Sequence, residues 1–150
     1  MIFHHQFAAK LTIALVLCCC IVSPIQAAVD KYAEQRKQYK AAKKSLRAGQ
    51  IKSFKNKAEA LRDYPLYPYL RYDYLSRRLW KMKNAEIVDF LAEFDDVPVA
   101  NDLRVAWLKL LVKRGHWLSY IENYTPQADK TLQCHQLQAR IKTKKTAYLL

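Results

Sequence analysis

A chain of 150 residues, half of them apolar and with a formal charge of +13, is long enough to bury the core of one domain of ordinary size. Its two glycines, Gly49 and Gly115, exclude a glycine-rich phosphate-binding loop. Both fall between apolar-periodic segments, where helices commonly end with a residue of positive φ. The composition therefore predicts a nearly all-helical protein.

Residues 1–27 have the organisation of a secretory signal peptide. Lys10 precedes the uncharged run LTIALVLCCCIV, which is shorter than the roughly 20 apolar residues that a membrane-spanning helix needs. Pro24 then breaks the helix, and Ala27 and Ala28 offer small side chains to a signal peptidase. We therefore predict cleavage near Ala27, a periplasmic location, and no transmembrane segment in the mature chain.

Two alternatives to a cleaved signal peptide exist. An uncleaved membrane anchor is opposed by the short apolar run, and a lipoprotein is opposed by the bulky Leu17 before Cys18, where lipid attachment needs a small residue. Cleavage would leave Cys134 as the one cysteine of the mature chain. A single cysteine gives no disulfide framework, so we expect stability to come from helix packing, with Cys134 packed as a small apolar residue.

The strong basic charge favours a polyanionic partner. Cleavage removes one lysine and no acid from 26 basic and 13 acidic residues, so the mature chain stays about as basic as the precursor. Export favours an anionic cell-wall polymer or phospholipid headgroups as the partner, and it argues against nucleic acid. The alternative is a basic helical surface whose charge serves solubility alone.

Three helices are predicted in the first half of the mature chain. The first runs from Asp30, as its N-cap, to Gly49, and the second ends at Pro65. The third covers residues 66–82, with Pro68 in the first turn, where no backbone N–H is needed. Their apolar positions are Tyr32, Tyr39, Ala42 and Leu46, then Ile51, Phe54, Ala58 and Leu61, then Leu66, Tyr69, Leu70, Tyr72, Tyr74, Leu75 and Leu79.

Four more helices are predicted in the second half. Asn84 caps the fourth, which Asp95, Asp96 and Pro98 close; the fifth ends at Gly115, the sixth ends before Pro126, and the seventh begins near Ala128. Each shows the spacing of one buried face. Their apolar positions are Ile87, Phe90, Leu91 and Phe94, then Leu103, Ala106, Trp107, Leu110 and Leu111, then Trp117, Tyr120, Ile121 and Tyr124, then Cys134, Leu137 and Ile141.

Taken in pairs, these helices recur with a ragged period of about 33 residues, which is in the range of helix-pair repeats that stack into solenoids. The consensus of tetratricopeptide repeats is absent. The pattern therefore predicts an all-α fold, an irregular α-superhelix of stacked helical hairpins.

The stretch LRDYPLYPYLRYDYL, residues 61–75, holds five tyrosines and two prolines. Apolar residues cover most of the circumference of the third helix, as they do when neighbouring helices pack on several sides. Tyrosine suits such a position because its ring fills an interface while its hydroxyl reaches the rim. We expect these tyrosines in the core; the alternative is a set of exposed rings that stack on sugars.

No catalytic, cofactor or metal site is predicted. His116 and His135 have no second ligand type at usable spacing, and Cys134 and His135 are adjacent in sequence only, so they point about 100° apart on a helix. The carboxylates are expected on solvated faces or at helix caps. The glutamates among them are Glu34, Glu59, Glu86, Glu93 and Glu122.

At LRDYPLYPYLRYDYL the sequence resembles the N-terminal region of the periplasmic soluble lytic murein transglycosylases. The resemblance extends more loosely from YAEQRKQYKAAKKSLRAGQ to LQCHQLQAR. It implies that residues 28–150 form the N-terminal part of an α-superhelical, U-shaped domain. In that family a lysozyme-like domain near the C-terminus cleaves the β-1,4 bond between N-acetylmuramic acid and N-acetylglucosamine and leaves a 1,6-anhydro end. The resemblance therefore implies peptidoglycan glycan strands as the partner.

The catalytic acid of that family is a glutamate followed by serine, with a GLMQ-like segment downstream. None of the glutamates here precedes a serine, and GLMQ does not occur. We therefore predict a non-catalytic scaffold, the N-terminal fragment of a lytic transglycosylase without the lysozyme-like domain, inactive alone and derived from a truncated product or gene fragment. The alternative is a stand-alone periplasmic helical binding or scaffold module.

Overall fold

The computed structural model describes residues 32–147, with side chains through residue 144, and this part of the chain is helical without strands. The predicted signal peptide, residues 1–27, and the predicted cap Asp30 lie outside the described residues. The chain divides into two compact units, which meet in sequence between Leu61 and Arg62.

Unit 1 contains a helical hairpin of α1, Ala33–Arg47, and α2, Ile51–Glu59. Gly49 lies between the two helices at φ +71°. The Gln50 N–H donates to the Ser45 carbonyl at 2.9 Å, and the Gly49 N–H donates to the Leu46 carbonyl at 3.1 Å. These two bonds form a Schellman motif, so the predicted role of Gly49 at the end of the first helix is confirmed.

The predicted apolar stripes of unit 1 are buried at most of their positions. Ala42 and Leu46 of α1 are buried, as are Phe54 and Ala58 of α2. The second helix ends at Glu59, earlier than its predicted end at the proline of residue 65. Turn residues 60–63 separate the helix end from this proline, and a proline restricts only the residue directly before it, so the proline is not the stop of α2.

Unit 2 is centred on one long helix. The elements are α3, Tyr67–Arg77; a 3₁₀ turn, Leu79–Lys81; α4, Asn84–Glu93; α5, Pro98–Arg114; α6, Trp117–Asn123; and α7, Lys130–Ala147. The central helix α5 contacts α3, α4, α6 and α7, and α6 packs along α7.

Pro98 begins α5 instead of closing the helix before it, which corrects the prediction. Val97 precedes it in extended backbone, as a residue before proline prefers. At the other end Gly115 has φ +69°, and the His116 N–H donates to the Leu111 carbonyl at 3.0 Å. Proline in the first turn and glycine after the last turn both suit the ends of α5.

The core of unit 2 is built around α5. Trp107, Leu103, Leu108 and Leu111 are at most 1% exposed, and Phe90 of α4 is fully buried. Two residues predicted on the buried stripe of α5 lie elsewhere: Ala106 is exposed and Leu110 is half-buried. The fully buried Leu108 and Ala100 take part instead, because several helices surround α5 and bury more than one face.

The predicted buried face of the last helix is wrong. Leu132 and Ala139 of α7 are fully buried, whereas Leu137 is 59% exposed and Ile141 is 60% exposed. Cys134, predicted to pack as a small apolar residue, is an exposed free thiol. Helical spacing identifies a stripe, but the position of α5 and α6 decides which side of α7 is covered.

Polar contacts fix the junction between α6 and α7. The hydroxyl of the fully buried Tyr120 donates to the Leu132 carbonyl at 2.7 Å. In the connecting segment, the side-chain amide of Gln127 donates to Asn101 Oδ1 at 3.2 Å, and the Gln133 amide donates to the Gln127 carbonyl at 2.7 Å. These bonds attach the segment to α5 and to the first turn of α7.

Candidate functional site

A groove of about 810 Å³ lies between α1 and α2 in unit 1. This volume is in the range of roughly 300–1,000 Å³ that is typical of small-ligand sites. The lining residues belong to α1, to α2, to the turn between them and to the turn that follows α2. They are Gln38, Ala41, Gln50, Ile51, Lys52, Ser53, Asn56, Lys57 and Ala60.

One face of α2 supplies most of the polar wall. Ser53, Asn56, Lys57 and Ala60 are spaced at i, i+3, i+4 and i+7, so their side chains lie on the same side of the helix and of the turn that follows it. Phe54, which is buried, lies about 110° around α2 from the centre of that face, at about 100° per residue. An amphipathic helix thus turns its polar face to the groove while its apolar face is covered.

Hydrogen bonds hold this polar wall in place. Ser45 and Ser53 share a hydrogen bond between their hydroxyls at 3.3 Å, across the two helices. Lys57 Nζ donates to the Ser53 hydroxyl one turn earlier. On α1, the Gln38 amide donates to Glu34 Oε1 at 3.3 Å. The side chains of Ser53 and Lys57 are therefore positioned before any ligand arrives.

The groove lining combines a mostly apolar surface with amide and ammonium groups. Gln38, Gln50 and Asn56 contribute side-chain amides, which both donate and accept hydrogen bonds. Lys52 and Lys57 contribute ammonium groups, which bind carboxylates through charge-assisted hydrogen bonds. No carboxylate is among the nine lining residues.

The glutamates considered as candidate acids lie away from this groove lining. Glu34, Glu59, Glu93 and Glu122 are exposed, and Glu86 is half-buried near the start of α4. The absence of catalytic residues stays a prediction.

Asp129, just before α7, is the carboxylate with the clearest electrostatic environment. Lys109 Nζ lies 3.0 Å from its Oδ2, and the Thr131 N–H donates to its Oδ1 at 2.8 Å. The hydrogen bond from Lys109, together with the backbone donors, lowers the pKa of Asp129 below its ordinary value. This arrangement stabilises the ionised carboxylate and suits a helix start more than proton transfer.

The predicted histidines and Cys134 do not come together as a metal or nucleophile site. His116 is exposed, and His135 Nδ1 lies 3.3 Å from Gln138 Oε1 on the same helix. Within residues 32–147, no group of three histidine, cysteine or carboxylate side chains is arranged to hold a metal ion. In the same range no helix is both long and apolar enough to cross a membrane.

The tyrosine-rich stretch is mainly part of the core, as predicted. Tyr64, Tyr67 and Tyr74 are buried, and the Tyr67 ring meets Phe94 edge-on at 6.1 Å. Tyr72 is half-buried, and Tyr69 is exposed, with 38% of its surface accessible. Core packing therefore explains most of the tyrosines of this stretch.

The groove was missed from the sequence. A pattern for it was present in QIKSFKNKAEA, where Ser53, Asn56 and Lys57 recur at helical spacing on one face of α2, to one side of Phe54. Such a pattern is usual for a solvated helix face, and only the nearby α1 turns that face into one wall of a groove.

Residues 32–147 are all-helical, and their hairpin of α1 and α2 holds a groove without a carboxylate in its lining. The soluble lytic murein transglycosylase of Escherichia coli strain K12 is similar to this protein, with 27% identity over 133 residues, which is 87% of this chain and 20% of that protein. The enzyme of the same name from Salmonella typhimurium is 27% identical over 122 residues, which is 80% of this chain and 19% of that protein.

The resemblance to lytic transglycosylases is thus confirmed along most of the chain. The chain spans about a fifth of the length of these relatives. No protein-family model matches it, and no solved structure matches it.

Proposed function

We propose that this chain is the N-terminal, non-catalytic helical part of a peptidoglycan lytic transglycosylase. It serves as an α-superhelical scaffold that binds murein strands in the groove between α1 and α2. The observation that carries the proposal is the similarity to proteins named soluble lytic murein transglycosylases over 87% of the chain. The mature scaffold comprises residues 28–150, released into the periplasm after removal of the signal peptide at residues 1–27.

The chemistry of the groove fits a murein strand. Such a strand presents hydroxyl and N-acetyl groups, which match the amides of Gln38, Gln50 and Asn56. It also carries carboxylates on its muramic acid and peptide stems, which match the ammonium groups of Lys52 and Lys57. Ala41 and Ile51 provide apolar contact for the faces of the sugar rings.

The lack of a carboxylate in the groove lining supports a binding role without bond cleavage. Lytic transglycosylation needs a carboxyl group that protonates the leaving oxygen and then accepts the proton of the muramic acid 6-hydroxyl. The groove lining holds no such group. In the proposed longer protein, a lysozyme-like domain outside this chain would supply the acid.

Groove binding can be tested with soluble murein strands released from purified sacculi, by titration calorimetry. Replacing Lys52 with Gln and Asn56 with Ala removes one cation and one amide, and we expect affinity to fall by about tenfold. The matched control, Lys40→Gln with Lys44→Gln, removes two exposed cations of α1 that do not line the groove. Equal losses in both double variants would contradict groove binding and indicate a diffuse charge effect.

Activity can be tested by incubating the mature chain with sacculi and searching for 1,6-anhydro muropeptides by mass spectrometry. We expect none above a heat-inactivated control. Products that disappear when one glutamate of this chain is replaced would overturn the non-catalytic role.

Sequencing the DNA after codon 150 distinguishes the transglycosylase origin from the alternative of a stand-alone periplasmic helical module. A continuing or frameshifted frame that encodes a Glu-Ser pair and a lysozyme-like domain supports the transglycosylase origin, and an unrelated gene supports a stand-alone module.

A further inference from the structure

A chain of hydrogen bonds joins the two helices of unit 1 beside the groove. Lys57 Nζ donates to the Ser53 hydroxyl, one turn earlier on α2. Ser53 Oγ lies 3.3 Å from Ser45 Oγ on α1. Because a serine hydroxyl can accept one hydrogen bond and donate another, Ser53 can accept from Lys57 and donate to Ser45. The three side chains therefore form one connected unit across the hairpin.

The members of this unit differ in their access to the groove. Ser53 and Lys57 line the groove and are half-buried. Ser45 is 6% exposed and is not among the lining residues. An effect of Ser45 on a ligand in the groove would therefore pass through Ser53 and Lys57.

Lys57 has donors left for a ligand. A lysine ammonium has three N–H donors and no acceptor, and the bond to Ser53 uses one of them. Among the described residues, no carboxylate lies within ion-pair distance of Lys57. The lining around the ammonium is mostly apolar, and a charge beside apolar surface attracts an opposite charge more strongly than it would in open water. These features suit the binding of a ligand carboxylate.

The second lysine of the lining is less well prepared for this contact. Lys52, in the first turn of α2, is exposed. A long side chain in water samples many rotamers, and a ligand that fixes one of them must offset the lost side-chain entropy. The bond to Ser53 has already restricted Lys57, so a contact with Lys57 loses less entropy.

We propose that Lys57, positioned by Ser53 and Ser45, makes the groove selective for murein strands with free carboxylates over strands whose carboxylates are amidated. This inference rests on the proposed binding of murein in the groove, and it names the group of the strand that is recognised. Lys57 determines the specificity because it contacts the carboxylate. Ser45 is a positioning residue because it acts through Ser53.

The probes are two preparations of soluble murein strands from purified sacculi. One keeps its carboxylates, and in the other carbodiimide and ammonia have converted them to neutral carboxamides of nearly the same size. Titration calorimetry with the mature chain should give at least about tenfold tighter binding of the carboxylate strands. Equal affinities would overturn this inference and leave murein binding in place. No binding of either preparation would overturn the proposed function and this inference together.

Lys57→Met tests whether one ammonium provides the selectivity, because it removes the charge and keeps a long side chain. We expect the ratio of the two affinities to fall to less than about threefold. Lys40→Met removes an exposed cation of α1 that does not line the groove. This matched control should change the ratio by less than about twofold, because exposed charges are screened by salt. An unchanged ratio in Lys57→Met, or an equal fall in both variants, would overturn the role of Lys57.

Ser45→Ala tests the positioning, because it removes a hydroxyl outside the groove lining and leaves both lysines in place. We expect the affinity for carboxylate strands to fall by about threefold while the affinity for carboxamide strands is retained, because only the charged contact depends on a restricted Lys57. A general disturbance of the hairpin would weaken both preparations equally. Equal weakening, or an unchanged ratio, would overturn the positioning role of Ser45. Circular dichroism verifies that each variant keeps its helices.

Discussion

Replacing Tyr120 with Phe tests the junction of α6 and α7 because it removes one buried hydroxyl and keeps the ring. Tyr120 is fully buried, and its hydroxyl donates to the Leu132 carbonyl at 2.7 Å. Burial first, and then the negative charges of Tyr124 and Asp129, raise the pKa of Tyr120 to about 12 from 10.0. The substitution should therefore change both stability and its dependence on pH.

At about pH 8 the hydroxyl is neutral in the folded and unfolded states, so only the hydrogen bond is lost. We expect Tyr120→Phe to lower the free energy of unfolding by about 1 kcal/mol there. Above pH 10 the unfolded tyrosine releases its proton while the folded one retains it. The wild-type protein therefore loses stability as the pH rises through the folded pKa, by roughly 2–3 kcal/mol in total, because each pK unit corresponds to about 1.4 kcal/mol.

The two effects have opposite signs, so the stability curves should cross. The phenylalanine variant lacks this alkaline loss and should become the more stable protein above about pH 11. Urea denaturation followed by circular dichroism, repeated between about pH 8 and pH 11.5, measures the difference. Tyr69→Phe, at an exposed tyrosine, is the matched control and should change stability at pH 8 by less than about 0.5 kcal/mol. A constant difference between Tyr120→Phe and wild type across this range would refute the buried, proton-donating hydroxyl.

Three further predictions follow from other parts of unit 2. Trp107→Ala should lower the free energy of unfolding by on the order of 3–5 kcal/mol and lower the thermal midpoint, because Trp107 is 1% exposed. Trp80→Ala, at a tryptophan that is 63% exposed, is the control and should lower it much less. Equal shifts of the thermal midpoint would contradict the assigned core. Gly115→Ala should cost about 1–2 kcal/mol in urea denaturation, since its φ of +69° strains any residue with a Cβ, and an unchanged midpoint would contradict that conformation. The lowered pKa of Asp129 stabilises the folded wild type above the ordinary carboxyl pKa, and this stability is lost as the pH falls through the lowered folded pKa. Asp129→Asn should remove that contribution, so acid titrations followed by circular dichroism should differ between variant and wild type. Identical acid transitions would contradict the pairing of Asp129 with Lys109.

Local sequence preferences predicted most helices and several of their ends. Gly49 and Gly115 adopt positive φ after α1 and α5, because only glycine takes that conformation without strain. Pro68 lies in the first turn of α3, as predicted. These features depend on a few neighbouring residues, so the chain near each of them is sufficient to specify them.

Pro98 shows the limit of local preferences. A proline excludes a continuing helix on its N-terminal side and also favours the first turn of a new one, so the same residue fits an end or a beginning. In the structure it begins α5. The choice depends on how α4 and α5 pack, and that packing involves residues distant in sequence.

The sequence by itself determined that the described chain is helical, where many helices begin or end, and that Phe90 and Trp107 are buried. It also carried the resemblance to lytic transglycosylases, because that likeness lies in residue identities such as DYPLYPYL. Tertiary structure decided which of the two apolar faces of α7 is covered and made a groove from the polar face of α2. The physical reason is that helical periodicity places side chains on a common face, whereas burial and concavity exist only when a second helix lies against that face.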